Sequence, residues 1–166
     1  RILGDAIAEL KAMGVSIPDS GNRGGTLAVG FTGLASPNDG AVTVRTSTLV
    51  PNGRAGLAYA GVAAAKRLTG PALICGLQES SSDRSNVAFQ NAGSAADGDL
   101  TLRVTVHSGD SGASVSLEDF RLLPGGFHQI SGVLGASGMT NGWVRVERVA
   151  GTAGAVSASG MFSCGT

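Results

Sequence analysis

From Thr26 onward, apolar and polar side chains alternate with a period of two, the spacing of strands that bury one face. The clearest run is Leu100, Leu102, Val104 and Val106, with Thr101, Arg103, Thr105 and His107 on the opposite face. Val144 and Val146 alternate with Trp143, Arg145 and Glu147, and Leu27, Val29 and Phe31 alternate with small residues. Val42 and Val44 lead into Thr46 and Thr48 in the same way. Further candidate strands cover 56–60, 72–77, 86–90, 115–122, 127–130 and 155–162. Turn chemistry separates them: Pro37-Asn-Asp-Gly40, Pro51-Asn-Gly53, Ala96-Asp-Gly-Asp99, Pro124-Gly-Gly126 and Asn141-Gly142. About ten short strands at this spacing predict an all-β fold, an antiparallel β-sandwich. Only the start is helical in pattern, with Leu3, Ala6, Ile7, Leu10 and Met13 on one stripe and Gly14 as terminator. Residues 1–20 thus read as a short N-terminal helix and linker, and 21–166 as the β-sandwich.

The strand pattern also looks duplicated. Residues 49–62 parallel 122–133, each built on a Leu-x-Pro or Leu-Pro turn followed by a strand. Ahead of them lie 41–49 and 99–107, both alternating Val, Thr and Arg, and before those the shorter 26–31 and 86–90. Two related halves, about 24–80 and 84–150, plus a final strand at 155–162, describe this series. The seam falls at Glu79-Ser-Ser-Ser-Asp-Arg84. Each half alone makes a marginal core, so the halves are expected to pack together.

Composition narrows the function classes. Twelve basic residues balance twelve acidic ones, so no broad field favours nucleic acid or an anionic membrane surface. No apolar run approaches the ~20 residues of a membrane-spanning helix. The first residue is Arg and no leader precedes it, which reads as a processed protein or a piece of a larger one. Cys75 and Cys164 are too few for a zinc site. Paired, they would close a long loop worth ~4 kcal/mol; unpaired, they are small core residues. The secreted-looking composition favours the disulfide.

Gly109-Asp-Ser-Gly112 matches the nucleophile motif of trypsin-like serine proteases. The rest of that fingerprint is missing. No histidine precedes His107, which sits only four residues before Ser111 and ~13 Å away on one extended strand. Ile2 still carries Arg1, so its amine is not free to pair with Asp110. The motif therefore reads as a turn after the 100–107 strand, with no catalytic residue assigned and a serine hydrolase using Ser111 kept as a distant alternative.

Asp97 and Asp99, with Asn38 and Asp39, offer oxygen ligands, but no Asp-x-Asp-x-Asp-Gly loop is present and no metal or cofactor is expected. Glu118 and Asp119 are adjacent, which on a strand places them on opposite faces and prevents paired acid–base work. The polar face carrying Trp143, Arg103, His107, Arg145 and Glu147 offers a sugar an indole to stack on; the bland alternative is a solvated face with Arg and Glu paired across strands.

Asp83-Arg-Ser-Asn-Val-Ala-Phe-Gln-Asn91, Leu100-Thr-Leu-Arg-Val-Thr-Val106, Leu123-Pro-Gly-Gly-Phe127 and Gly142-Trp-Val-Arg-Val-Glu147 resemble segments of uncharacterised secreted bacterial modules. The similarity covers about residues 24–166, and those modules are thought of as immunoglobulin-like β-sandwiches. The resemblance implies an extracellular or cell-surface address and no catalytic residue. The Cys-Gly-Thr ending departs from the Asn/Asp-rich tail of such modules. Low charge, abundant small residues and few lysines on exposed strand edges suit close packing against copies of itself or neighbouring extracellular domains. The expectation is a non-catalytic structural or adhesive module, with a carbohydrate-binding module as the alternative.

Overall fold

The computed structural model describes residues 4–20, 25–36, 39–64, 67–68, 70–151 and 156–164, and for residues 48, 50, 55 and 156–164 it describes the backbone. The chain is an all-β domain with one short N-terminal helix, α1 (Ala6–Ala12). Asp5 caps that helix by accepting from the Ala8 N–H at 3.0 Å, and Lys11 pairs with Asp19 just beyond it. The strands follow in order: β1 (Thr43–Val50), β2 (Gly53–Ala60), β3 (Ala72–Gln78), β4 (Asp83–Asn91), β5 (Leu100–Ser108), β6 (Ser114–Ser116), β7 (Phe120–Leu122), β8 (Phe127–Ile130), β9 (Asn141–Ala150) and β10 (Val156–Cys164).

These strands form three sheets. One is the β1–β2 ribbon, closed by a two-residue turn at Pro51-Asn52. The second has the order β10-β4-β8, and the third the order β3-β9-β5-β6, with β7 also on β5. All the pairings are antiparallel. The 100–106 alternation sets the third sheet. Leu100, Leu102, Val104 and Val106 are buried to within 1% exposure, and Val104 and Val106 face Val146 and Val144 on β9. Val87 and Phe89 of β4 join the same apolar cluster, as do Leu77, Leu122, Val133 and Leu134. Phe89 meets Phe120 at 5.5 Å between ring centroids, and Phe120 meets His128 of β8 at 4.3 Å. One core thus draws on both larger sheets. Burying each such side chain contributes ~1.5–3 kcal/mol.

The buried polar residues of β4 make side-chain hydrogen bonds. Asn91 has no exposed surface; its Nδ2 donates to the carbonyls of Gly98 and Leu122, both at 3.1 Å, and its Oδ1 accepts from the Gly93 N–H at 2.9 Å. The buried Ser85 hydroxyl donates to the Gln78 carbonyl at 2.7 Å and accepts from the Gln78 N–H at 2.9 Å. Asn86 Oδ1 accepts from the Gly132 N–H at 3.0 Å. Three polar letters of the Asp83–Asn91 segment, Ser85, Asn86 and Asn91, serve these internal bonds. A loop whose backbone is held by side chains can cross a core edge without orphaned groups.

The structure corrects several expectations. Residues 26–31 form no strand, and their apolar side chains Leu27, Val29 and Phe31 are exposed at 52%, 46% and 49%. Residues 115–122 are not one strand but β6 and β7 separated by a loop, which holds Glu118 and Asp119 off any strand. Asn141-Gly142 begins β9 instead of making a turn, because Gly142 pairs with both Leu77 and Ser108. The segments aligned as a repeat also pair differently. β1 runs the length of β2, whereas β5 pairs with β9, β6 and β7, and β8 pairs with β4.

Candidate functional site

The outward face of the β5–β9 pair carries the residues singled out for sugar binding. The register sets Arg103 opposite Glu147, Thr105 opposite Arg145 and His107 opposite Trp143. Because their neighbours Val104, Val106, Val144 and Val146 point into the core, these side chains share the other face. All five candidates, Trp143, Arg103, His107, Arg145 and Glu147, are brought together in this way.

Their charges are internally matched. Arg103 makes two parallel bonds to Asp119, Nε to Oδ1 at 2.9 Å and Nη2 to Oδ2 at 2.7 Å. This guanidinium holds the Asp119 carboxyl below the usual carboxylate range, and the same contact raises Arg103. Arg145 pairs with Glu147 two residues along the strand. Asp119 was not among the expected face residues, since its loop position is invisible in the alternation.

The aromatic end of the face is built differently. His107 and Trp143 stack with ring centroids 3.9 Å apart and planes 5° from parallel. His107 Nε2 is buried without a hydrogen-bond partner. On the other flank of β9, strand β3 carries a bulge between Ile74 and Leu77, where Gly76 takes a φ of +73° that a side chain would resist. The bulge leaves a hollow of about 310 Å³ lined by Cys75, Gly76, Gln78, Gly109, Asn141 and Trp143, among others. Asn141, at its edge, donates from Nδ2 to Asp110 Oδ1 at 2.7 Å. Cys75 is a free, exposed thiol; Cys164 ends β10 opposite Asp83, and its side chain lies outside the described residues.

The Gly109–Gly112 stretch leads from β5 to β6 as a turn. The Ser108 hydroxyl oxygen accepts from the N–H groups of Asp110 and Ser111, both at 3.2 Å, and Ser111 Oγ accepts from the Ala113 N–H at 3.3 Å. His107 is turned onto Trp143 and bonds no serine. Asp97 accepts from the Ser94 hydroxyl and N–H, both at 2.7 Å, which lowers its carboxyl, and Asp99 pairs with Arg121. Asp39 accepts from the Ser36 N–H at 2.9 Å; Asn38 lies outside the described residues. Among the described residues no group of three His, Cys, Asp or Glu side chains is placed to hold a metal ion. Among them, too, no helix is long and apolar enough to cross a membrane.

No family model, curated protein or solved structure matches this chain.

Proposed function

We propose that this chain is a non-catalytic structural or adhesive module of the bacterial cell surface or extracellular space, an immunoglobulin-like β-sandwich that associates with copies of itself or with neighbouring extracellular domains. The observation that carries this reading is the row Leu27, Val29, Phe31 and Leu34, each at least 40% exposed, in a segment with strand-like alternation and no strand partner. Alternating apolar side chains on unpaired backbone are what an added strand completes. β3, β8 and β10 end their sheets and present further edges. Light scattering across a concentration series tests it: mass should rise with concentration, and Leu27→Ser/Val29→Ser/Phe31→Ser should abolish the rise. A concentration-independent monomer overturns it. In this reading Ser111 sets a turn, and fluorophosphonate labelling at Ser111 would contradict that role.

A second reading, a carbohydrate-binding module, is favoured by one observation: Trp143 borders a hollow on a face whose charges are already paired. Retention on immobilised polysaccharide that is lost in Trp143→Ala tests it.

A further inference from the structure

We infer that the hollow between the β3 bulge and Trp143 is a subsite for one neutral pyranose ring, with Gln78 and Asn141 as its hydrogen-bonding groups and His107 as the residue that positions the indole. This rests on the carbohydrate reading above and assigns it a place, since the hollow lies beside the β5–β9 charged rows and not over them.

Four observations converge. The indole is fixed before any ligand arrives, because His107 packs parallel to it from β5, while β3 and the hollow lie on the other flank of β9. An aromatic face presents negative quadrupole charge, which suits the C–H face of a sugar ring. Gly76 and Gly109 line the space without side chains of their own, and the room that a Cβ on Gly109 would need is taken by the Asn141 carboxamide, which is thereby set at the rim. The space, about 310 Å³, lies largely open to solvent, so a ring seated there rests against the indole from the surface and is not enclosed.

The chemistry of the rim selects a neutral ligand. The Gln78 carboxamide makes no hydrogen bond to a described residue, and carboxamides offer both donors and an acceptor, as sugar hydroxyls require. Asn141 is oriented by Asp110. Among the described residues no lysine or arginine lines the hollow, and Arg103 and Arg145 on the same face are engaged by Asp119 and Glu147. A phosphate or carboxylate would find no free guanidinium fork.

Cys75 supplies a reporter at the wall of the same hollow. The purified chain is incubated with cellohexaose, chitohexaose or laminarihexaose, and the alkylation rate of Cys75 by N-ethylmaleimide is followed by mass spectrometry alongside Trp143 fluorescence. At least one oligosaccharide should slow alkylation fivefold or more and change the emission with the same concentration dependence. Gln78→Ala, on an exposed strand position, should weaken both effects about tenfold, while Arg121→Ala at the far end of the sheet should leave them unchanged. His107→Phe should preserve binding and His107→Ala weaken it, which separates positioning from direct contact. Binding that leaves Cys75 alkylation unslowed and persists in Trp143→Ala overturns the subsite and keeps the carbohydrate reading. No change in either signal with all three sugars at millimolar concentration overturns both.

Discussion

The imidazole of His107 lies flat on the indole of Trp143, one strand pair brought to 3.9 Å between ring centroids. Directly opposed aromatic residues on an antiparallel pair are the sheet's equivalent of helical i,i+4 neighbours. The pair locks the outer face of β5 and β9 at the end where the β3 bulge opens. It also leaves His107 Nε2 buried and unpartnered.

Those two facts give opposite expectations for two substitutions. His107→Ala removes the stack and should cost about 0.5–1.5 kcal/mol. His107→Phe keeps a ring and removes the unsatisfied nitrogen, so its stability should equal or exceed that of the unsubstituted chain. Trp143 is the sole tryptophan, so its emission reports the stack directly and should shift to longer wavelength only in His107→Ala. A destabilised His107→Phe in urea unfolding would sink the argument.

Asn91 is the polar centre of the core. Three side-chain hydrogen bonds tie β4 to the carbonyls of Gly98 and Leu122 and to the Gly93 N–H. Asn91→Ala leaves those groups without partners and should cost roughly 3 kcal/mol. Asn91→Asp should be no better, since a carboxylate oxygen would face two carbonyl oxygens. Urea midpoints unchanged in either variant would contradict this account.

Much of the framework is readable in the chain because one-sided burial imposes a period of two. Leu100 to Val106 and Val144 to Val146 announce both their strands and their inward faces, and the 127–130 and 72–77 strands are found almost to the residue. Val133 and Leu134 are fully buried yet sit in a loop before the 3-10 turn Gly135–Ser137, where no periodicity exists to mark them. The alternation at Leu27, Val29 and Phe31 fails for the opposite reason: pattern encodes a strand's capacity, while pairing needs a neighbour. The site was half legible. The face residues followed from alternation on β5 and β9, but the hollow depends on a bulge and on Gln78 and Cys75 across a strand boundary, a tertiary relationship.

Acid should act through two carboxylates. Asp119, beside Arg103, and Asp97, holding the Ser94 hydroxyl and N–H, both have folded values below the ordinary aspartate value of about 3.9. A depressed folded value means that the folded state binds its proton less readily than the unfolded chain. The stability they contribute is therefore complete above the unfolded value and is lost as pH falls through the folded one. Asp97→Asn/Asp119→Asn should flatten the fall of unfolding free energy between about pH 5 and pH 2. Equal slopes for the variant and the unsubstituted chain would remove both groups from the explanation.

Gly142 brings β9 close against the β5 backbone. A Cβ there would lie 2.1 Å from the His107 carbonyl oxygen and 3.4 Å from Leu134 Cδ2. Gly142→Ala must push β9 from β5 and should cost about 1–3 kcal/mol. The displacement also parts the rings at the next residue, so the Trp143 emission should move as it does in His107→Ala. Loss of stability with an unchanged emission would mean that the strain relaxes toward Leu134 and away from the stack.

Stability should be divided along the chain in the same way as burial. Among the described residues, the buried apolar ones run from Leu77 to Val146, whereas α1 buries none and the ribbon exposes Val44 and Leu49 at 42% and 76%. A two-stranded ribbon without a covered face is marginal by itself. In dilute solution, amide hydrogens of β1 and β2 should therefore exchange through local opening, and those of β5 and β9 only through global unfolding. At concentrations where light scattering reports association, protection should rise at residues 26–34 and along the ribbon while β5 and β9 stay constant. Ribbon amides as slow as those of β5 in the dilute sample would contradict the division, because protection of that size needs apolar burial that the described residues of α1 and the ribbon do not supply.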